Sequence, residues 1–140
     1  MKPCPSSVPQ DNEVEIPPLV LIVDDDVAVR ESLSAVIEAF GFRTHTACNG
    51  FEGLQAVRAE EPSAIVTDLH MPEMDGFELM NALRSSRSQV PVIAMSGGVV
   101  SGYDILIAAK HLGAVATFAK PLAVLELIDT ISGLTTRQAA

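Results

Sequence analysis

The sequence has few aromatic residues, few cysteines and few basic residues. Among 140 residues there are no Trp, one Tyr, five Phe and two cysteines, Cys4 and Cys48. Because one of the two lies in a proline-rich terminus, the pattern predicts free thiols rather than a disulfide framework. Nine basic against eighteen acidic residues give a formal net charge of −9, which opposes binding to the phosphate backbone of nucleic acid. We therefore expect no direct nucleic-acid partner.

Long apolar runs are also missing from the chain. No run approaches the ~20 residues that a membrane-spanning helix needs, and the amino-terminal residues lack the apolar core of a secretory signal. These two absences predict a cytoplasmic protein without a membrane partner. With 48% apolar residues, a chain of this length is expected to form one domain with a well-buried core.

The pattern along the chain divides it into three parts. Five of the nine prolines fall within the first eighteen residues, where apolar periodicity is almost absent. Such a composition predicts a flexible tail over residues 1–17, because it cannot bury enough surface to offset the entropy of ordering. A folded domain is expected over residues 18–133, followed by a short C-terminal tail at 134–140.

Within the expected domain, five short apolar runs alternate with five segments of helical periodicity. This alternation predicts an α/β fold, a doubly wound five-stranded parallel sheet with five helices. Asp26 is the expected N-cap of helix one, and Gly41 follows the same helix where a left-handed cap is wanted. Helix four is expected from Gly102 or Tyr103 to Leu112, with scarcely any polar face. Helix five is expected to start near Leu122 and to bury four residues, Val124, Leu125, Ile128 and Ile131.

Polar residues follow four of the expected strands at the point where each strand ends. Asp24-Asp25-Asp26 follow the first, Asp68 ends the third, Ser96 follows the fourth and Lys120 follows the fifth. Ligands of open parallel sheets lie outside the carboxyl ends of the strands, so these groups are expected to meet at one edge. Converging carboxylates repel each other unless they are protonated or take up a cation. All-oxygen ligation favours Mg²⁺.

This arrangement resembles the receiver domain of bacterial two-component response regulators. The matching features are the acidic pair, the segment Asp-Leu-His-Met-Pro-Glu-Met-Asp-Gly from Asp68, the hydroxyl after strand four and the Lys-Pro after strand five. The resemblance implies a flavodoxin-like receiver fold with strand order 2-1-3-4-5. It also implies site roles: Asp68 as phosphoacceptor, Asp24 and Asp25 as the metal-binding pair, the backbone carbonyl of His70 as a further Mg²⁺ ligand, Ser96 as the switch hydroxyl, and Lys120 as the lysine that contacts the phosphoryl group.

Two positions depart from the usual receiver pattern. Thr117 stands at the switch position where the family commonly has Tyr or Phe, and Leu122 follows the Lys-Pro pair where Phe is frequent. A small β-branched side chain leaves space behind Ser96 rather than filling it. We therefore expect a switch that depends less on an aromatic gate than is usual in the family.

The function implied by the resemblance is phosphoacceptor signalling. A sensor histidine kinase or a histidine phosphotransfer protein would supply the phosphoryl group. A protein target, or a second copy of the chain, would then recognise the change through the face formed by helix four, strand five and helix five. The chain would assist its own phosphorylation and dephosphorylation without being an enzyme for a separate substrate.

Three alternatives accompany this interpretation. The chain could be the receiver portion of a longer DNA-binding response regulator. An aspartyl-nucleophile phosphatase would also place Asp at a strand end, but such enzymes want a second acid two residues further on, where His70 stands. A flavodoxin-like cofactor binder would need a hydroxyl- and glycine-rich loop after strand one, where three aspartates would instead repel a phosphate.

Overall fold

The computed structural model describes residues 16–97 and 102–139, with side chains over 16–97 and 105–136. Strands and helices alternate through these residues, which confirms the predicted α/β class. The strands are β1 (Leu19–Val23), β2 (Arg43–Ala47), β3 (Ala64–Asp68), β4 (Val92–Ser96) and β5 (Ala116–Ala119). The helices are α1 (Val27–Ala39), α2 (Gly50–Glu60), α3 (Gly76–Ser85), α4 (Gly102–His111) and α5 (Val124–Ala139).

The five strands form one parallel sheet in the order β2-β1-β3-β4-β5. This is the predicted order 2-1-3-4-5. The register pairs Val23 of β1 with Thr67 of β3, Asp68 with Met95 of β4, and Ser96 with Ala119 of β5. The carboxyl ends of these four strands therefore meet at one edge, and the residues that follow them are brought together.

Helices cover both faces of the sheet, which explains why the central strands are apolar throughout. Every residue of β1, β3 and β4 is buried. One face packs against α1 and α5, chiefly through Leu33, Ile37, Leu127 and Ile131. The other face packs against α2, α3 and α4. β2 lies at the edge of the sheet and buries only Ala47, in keeping with its polar sequence.

Both expected ends of α1 are confirmed. The side chain of Asp26 accepts a hydrogen bond from the backbone N–H of Ala28 at 2.9 Å, as an N-cap should. Gly41, just beyond the helix, has φ +99°, a conformation that side chains disfavour. The carboxylate of Asp26 therefore caps the start of α1.

α5 differs from the prediction at both ends. It begins at Val124, two residues later than expected, and Leu125 is 68% exposed instead of facing inward. Leu127 takes the buried position, one turn before the buried Ile131. The helix also continues to Ala139, and Thr135 is 5% exposed, so the expectation of a tail from residue 134 is wrong as far as 139.

The expected amino-terminal tail lies outside the described residues, apart from residues 16 and 17. α4 ends at His111, one residue before the expected Leu112. Across the described residues, no helix combines the length and apolar character needed to cross a bilayer.

Candidate functional site

Three carboxylates converge at the carboxyl edge of the sheet. One oxygen from each of Asp24, Asp25 and Asp68 lies within 4.8 Å of the other two. Asp24 follows β1 and is completely buried, Asp68 ends β3 and is 6% exposed, and Asp25 is exposed to solvent. The residues expected to form the acidic site are therefore brought together, with one of them open to solvent.

Lys120 contacts two of these carboxylates from the end of β5. Its Nζ lies 3.0 Å from Oδ2 of Asp24 and 3.5 Å from Oδ2 of Asp68. Its backbone N–H donates to the carbonyl of Ser96 at 2.8 Å, which fixes β5 beside β4 at this edge. The ammonium group thus partly neutralises the acidic cluster. The sequence predicted the presence of Lys120 here but did not indicate that Asp24 is its nearer partner.

The environment shifts the pKa values of Asp68 and Lys120. Burial, and then the negative charge of Asp24, raise the pKa of Asp68, while Lys120 and the backbone N–H groups of His70 and Leu69 partly oppose this rise. Burial alone would lower the pKa of Lys120. The hydrogen bond to Asp24 and the charges of Asp68 and Asp24 outweigh this effect, so the pKa of Lys120 is raised. Lys120 therefore stays charged at neutral pH.

Hydrogen bonds hold the acidic residues in place. Oδ1 of Asp24 accepts a hydrogen bond from the N–H of Asp26 at 2.9 Å. The backbone carbonyl of Asp24 accepts one from Nη1 of Arg30 at 2.7 Å. The buried hydroxyl of Thr67 donates to the carbonyl of Asp68 at 2.9 Å. Sequence reasoning missed Arg30, because an Arg within the first turns of a helix carries no signal that it reaches back to the preceding loop.

The loop between β3 and α3 runs directly from Asp68. The backbone nitrogen of His70 lies 3.4 Å from Oδ1 of Asp68, and His70 is exposed to solvent. The role of the His70 carbonyl as a ligand stays a prediction. Asp75, the second aspartate of the motif, forms a capping box with Glu78 at the start of α3. A Cβ on Gly76 would collide with the carbonyl oxygen of Asp68 and lie 2.9 Å from Cα of Leu69, so this position requires glycine.

Ser96 and Thr117, the two expected switch residues, lie near this edge. Ser96 ends β4 and is 2% exposed. Thr117 is partly buried and pairs with Ala94, two residues before Ser96. Since side chains alternate along a strand, Thr117 and Ser96 project on the same side of the sheet, opposite to Phe118, which packs with the α1 and α5 side. The residues 98–101 that follow Ser96 and Gly97 lie outside the described part of the chain.

A doubly wound parallel sheet with three carboxylates and a lysine at its carboxyl edge defines the class of the domain, and comparison with known proteins agrees. The family described as "Response regulator receiver domain" matches residues 20–132. The chain therefore belongs to the receiver-domain family of the response regulators of two-component systems.

Individual relatives are similar over most of this chain. It is 36% identical over 121 residues to the transcriptional regulatory protein PrrA of Mycobacterium tuberculosis, covering 86% of this chain and 51% of PrrA. It is 33% identical over 112 residues to sporulation initiation phosphotransferase F of Bacillus subtilis, covering 80% and 89%. The chain thus spans about half the length of the PrrA regulators.

Solved receiver structures resemble the whole domain. The receiver domain of the Francisella response regulator 1452 superposes with a TM-score of 0.80 at 30% identity, covering 86% of this chain and 98% of that one. A CheY-like receiver domain protein from Methanospirillum hungatei gives a TM-score of 0.78 at 26% identity, covering 88% and 97%.

Proposed function

We propose that Asp68 accepts a phosphoryl group from a histidine kinase or a histidine phosphotransfer protein, and that the phosphorylated domain signals to a protein partner. The observation that carries the proposal is the convergence of Asp24, Asp25, Asp68 and Lys120 at one edge. Both carboxylate oxygens of Asp24 already accept hydrogen bonds, from Asp26 and Lys120. Asp24 is also completely buried, whereas Asp68 is 6% exposed, so an incoming phosphoryl group has better access to Asp68. Similarity to a relative named a phosphotransferase supports phosphoryl transfer as the activity.

The donor set suits Mg²⁺, because carboxylate oxygens are the hard ligands that this cation prefers. In our proposal Asp25 and Asp68 bind it directly, Asp24 acts through water, and the carbonyl of His70 supplies a further oxygen. When bound, Mg²⁺ would contribute positive charge next to the oxygens of the transferring group. The solvent exposure of Asp25 supports its role, since a cation arriving from solution reaches it first.

The residues of the chain account for the transfer step. A carboxylate oxygen of Asp68 forms a bond to phosphorus, the P–N bond of the phosphohistidine breaks, and its electron pair stays on the imidazole nitrogen, leaving an acyl phosphate on Asp68. Before phosphorylation, Nζ of Lys120 lies 3.5 Å from Oδ2 of Asp68. Because Lys120 stays charged, it can contact the oxygens of the new phosphoryl group. The domain thus assists its own phosphorylation and later hydrolysis, and it needs no separate substrate site.

We propose that the signal passes from Asp68 through Ser96. A phosphoryl group adds roughly −1.5 to −2 charges and three acceptor oxygens, which can recruit the buried Ser96 hydroxyl. The partly buried Thr117 leaves room for this movement on the same side of the sheet. The proposed output surface is the face of α4, β5 and α5, where Ile107 is 42% and Leu125 is 68% exposed. A protein target or a second copy of the chain would bind there.

The phosphoacceptor is tested by intact-mass measurement after incubation with a small-molecule phosphodonor and Mg²⁺. The wild type should gain one phosphoryl group, and Asp68→Asn should gain none. Asp75→Asn is the matched control, because Asp75 belongs to the same motif but caps α3. Retention of the adduct in Asp68→Asn would disprove the assignment.

The route of the signal is tested with beryllofluoride, which imitates the phosphoryl group. Chemical-shift changes should centre on residues 96–98 and α4, and light scattering or pull-down should reveal an activation-dependent contact that Ile107→Glu weakens. Coupling of ~1–3 kcal/mol would change partner affinity by about 5- to 150-fold. Shift changes confined to the residues around Asp24 and Asp25 would contradict the route through Ser96.

A further inference from the structure

The loop that carries the end of the phosphoacceptor motif is attached to the start of α2. Nδ2 of Asn49 donates to Oε1 of Glu73 at 2.9 Å, and the N–H of Gly50 donates to the carbonyl of Met74 at 2.8 Å. We call the Asn49–Glu73 hydrogen bond the loop clamp. It joins two segments that are 24 residues apart in the sequence.

Asn49 makes two hydrogen bonds with opposite ends of one planar amide. Its Oδ1 accepts from the N–H of Glu52 at 2.9 Å and so caps α2, while its Nδ2 reaches Glu73. The amide therefore has a fixed orientation relative to the helix. A Cβ on Gly50 would lie 2.7 Å from the carbonyl oxygen of Met74, so the glycine permits the close approach of helix and loop.

Glu73 has an unusual backbone conformation for a residue with a side chain. Its φ is +66°, in the left-handed region that favours glycine. Its carboxylate is held by Asn49 in this conformation. The clamp therefore stabilises a loop shape that the backbone of Glu73 would not choose by itself.

Both ends of the loop touch Asp68. The N–H of His70 lies 3.4 Å from Oδ1 of Asp68, and Gly76 packs against the backbone of Asp68 and Leu69. A change in loop shape would thus alter the orientation of the Asp68 carboxylate and of the adjoining backbone.

From this geometry we infer that Asn49 and Glu73 are positioning residues, which hold the β3–α3 loop in the shape that the Mg²⁺ site at Asp68 requires. The inference rests on the proposed phosphoacceptor function. It assigns the two side chains no contact with the cation or the phosphoryl group. Their effect reaches the site only through the backbone between Asp68 and Gly76.

The clamp is tested by Mg²⁺ titration calorimetry and thermal unfolding of the full chain and four variants, one of which, Asp25→Ala, removes the proposed direct Mg²⁺ ligand. Asn49→Ser keeps an N-cap for α2 but is too short to reach Glu73. Glu73→Gly removes the clamp and also relieves the left-handed backbone. Glu73→Gln keeps a hydrogen-bond acceptor and removes the charge.

The expected result separates Mg²⁺ affinity from stability. Loss of one hydrogen bond should weaken Mg²⁺ affinity by about 2- to 10-fold in Asn49→Ser and Glu73→Gly. Glu73→Gln should bind Mg²⁺ like the wild type. The melting temperature of Mg²⁺-free Glu73→Gly should be unchanged or higher, because glycine suits the backbone at this position. A purely structural role would instead lower the melting temperature and leave the affinity alone.

Contrary outcomes are distinct. Unchanged affinity in Asn49→Ser and Glu73→Gly, with Mg²⁺ binding intact in the wild type, would overturn the clamp alone. An equal loss in Glu73→Gln and Glu73→Gly would assign the effect to charge and also overturn it. A wild type that takes up no Mg²⁺, with Asp25→Ala behaving identically, would overturn the proposed metal site as well.

Discussion

Two contacts between a basic and an acidic side chain have nearly the same length and very different surroundings. Lys120 and Asp24 lie 3.0 Å apart, with side chains 24% and 0% exposed. His45 and Glu60 lie 2.9 Å apart at the edge of the sheet, with side chains 40% and 43% exposed. Water screens the second pair, whereas a charge left alone in the first is hard to solvate. Burial, and not the distance between the charged atoms, therefore makes an unpaired charge at the carboxyl edge costly.

The largest expected effect comes from breaking the buried pair. Lys120→Met should lower the free energy of unfolding by about 3 kcal/mol at neutral pH, because Asp24 and Asp68 lose their shared counter-charge. Urea unfolding of the Mg²⁺-free protein measures this change. Added Mg²⁺ should restore part of the loss.

The control for this experiment is the double variant Lys120→Met with Asp24→Asn. Removing both partners of a buried pair is far less costly than removing one, so the double variant should be more stable than Lys120→Met alone. If the two variants are equally unstable, the cost comes from lost packing of the lysine stem and the electrostatic argument fails.

The second prediction concerns the cation itself. At a concentration 100 times its dissociation constant, Mg²⁺ should add about 2.7 kcal/mol to the free energy of unfolding. Asp25→Ala should abolish this increment, since Asp25 is the proposed direct ligand. Asp26→Ala should retain the increment. Its free energy of unfolding should be about 1 kcal/mol lower both with and without Mg²⁺, because Asp26 caps α1. Equal loss of the Mg²⁺ effect in both variants would mean that Asp26 is also a ligand.

Much of the fold and site could be predicted because the signals are local. Apolar runs that end in Asp24, Asp68, Ser96 and Lys120 are each visible in a few residues, and parallel strands necessarily bring their ends together. The strand order, in contrast, was predicted from the family resemblance and not from the pattern.

The rest depends on contacts between distant segments or on small angular differences. Leu125 and Leu127 are both apolar, and only packing against the sheet decides that the second is buried. No residue near Glu73 in the sequence indicates that its backbone is left-handed or that its carboxylate accepts a hydrogen bond from Asn49. The spacing of Asn49 and Glu52 does carry a capping signal, which indicates the helix end but not the loop partner.

The third prediction uses the raised pKa of Asp68. A carboxyl group whose folded pKa lies above its unfolded pKa stabilises the fold only at low pH, and this contribution is lost as pH rises through the folded pKa. Asp68→Asn should therefore be more stable than the Mg²⁺-free wild type at pH 7. The difference should shrink as pH falls towards the ordinary range of Asp, near 3.9. Urea unfolding across pH checks this, and a difference that grows on acidification would contradict the sign.

The smallest effect is expected at the exposed pair. His45→Ala should change the free energy of unfolding by no more than about 0.5 kcal/mol, because solvent and salt screen its interaction with Glu60. Glu60→Gln is the matched control and should behave alike, and raising the salt concentration should remove whatever difference exists. Parallel urea unfolding of His45→Ala and Lys120→Met decides the comparison directly. Because the two pairs have the same separation within 0.1 Å, comparable losses would show that distance governs them and that burial does not.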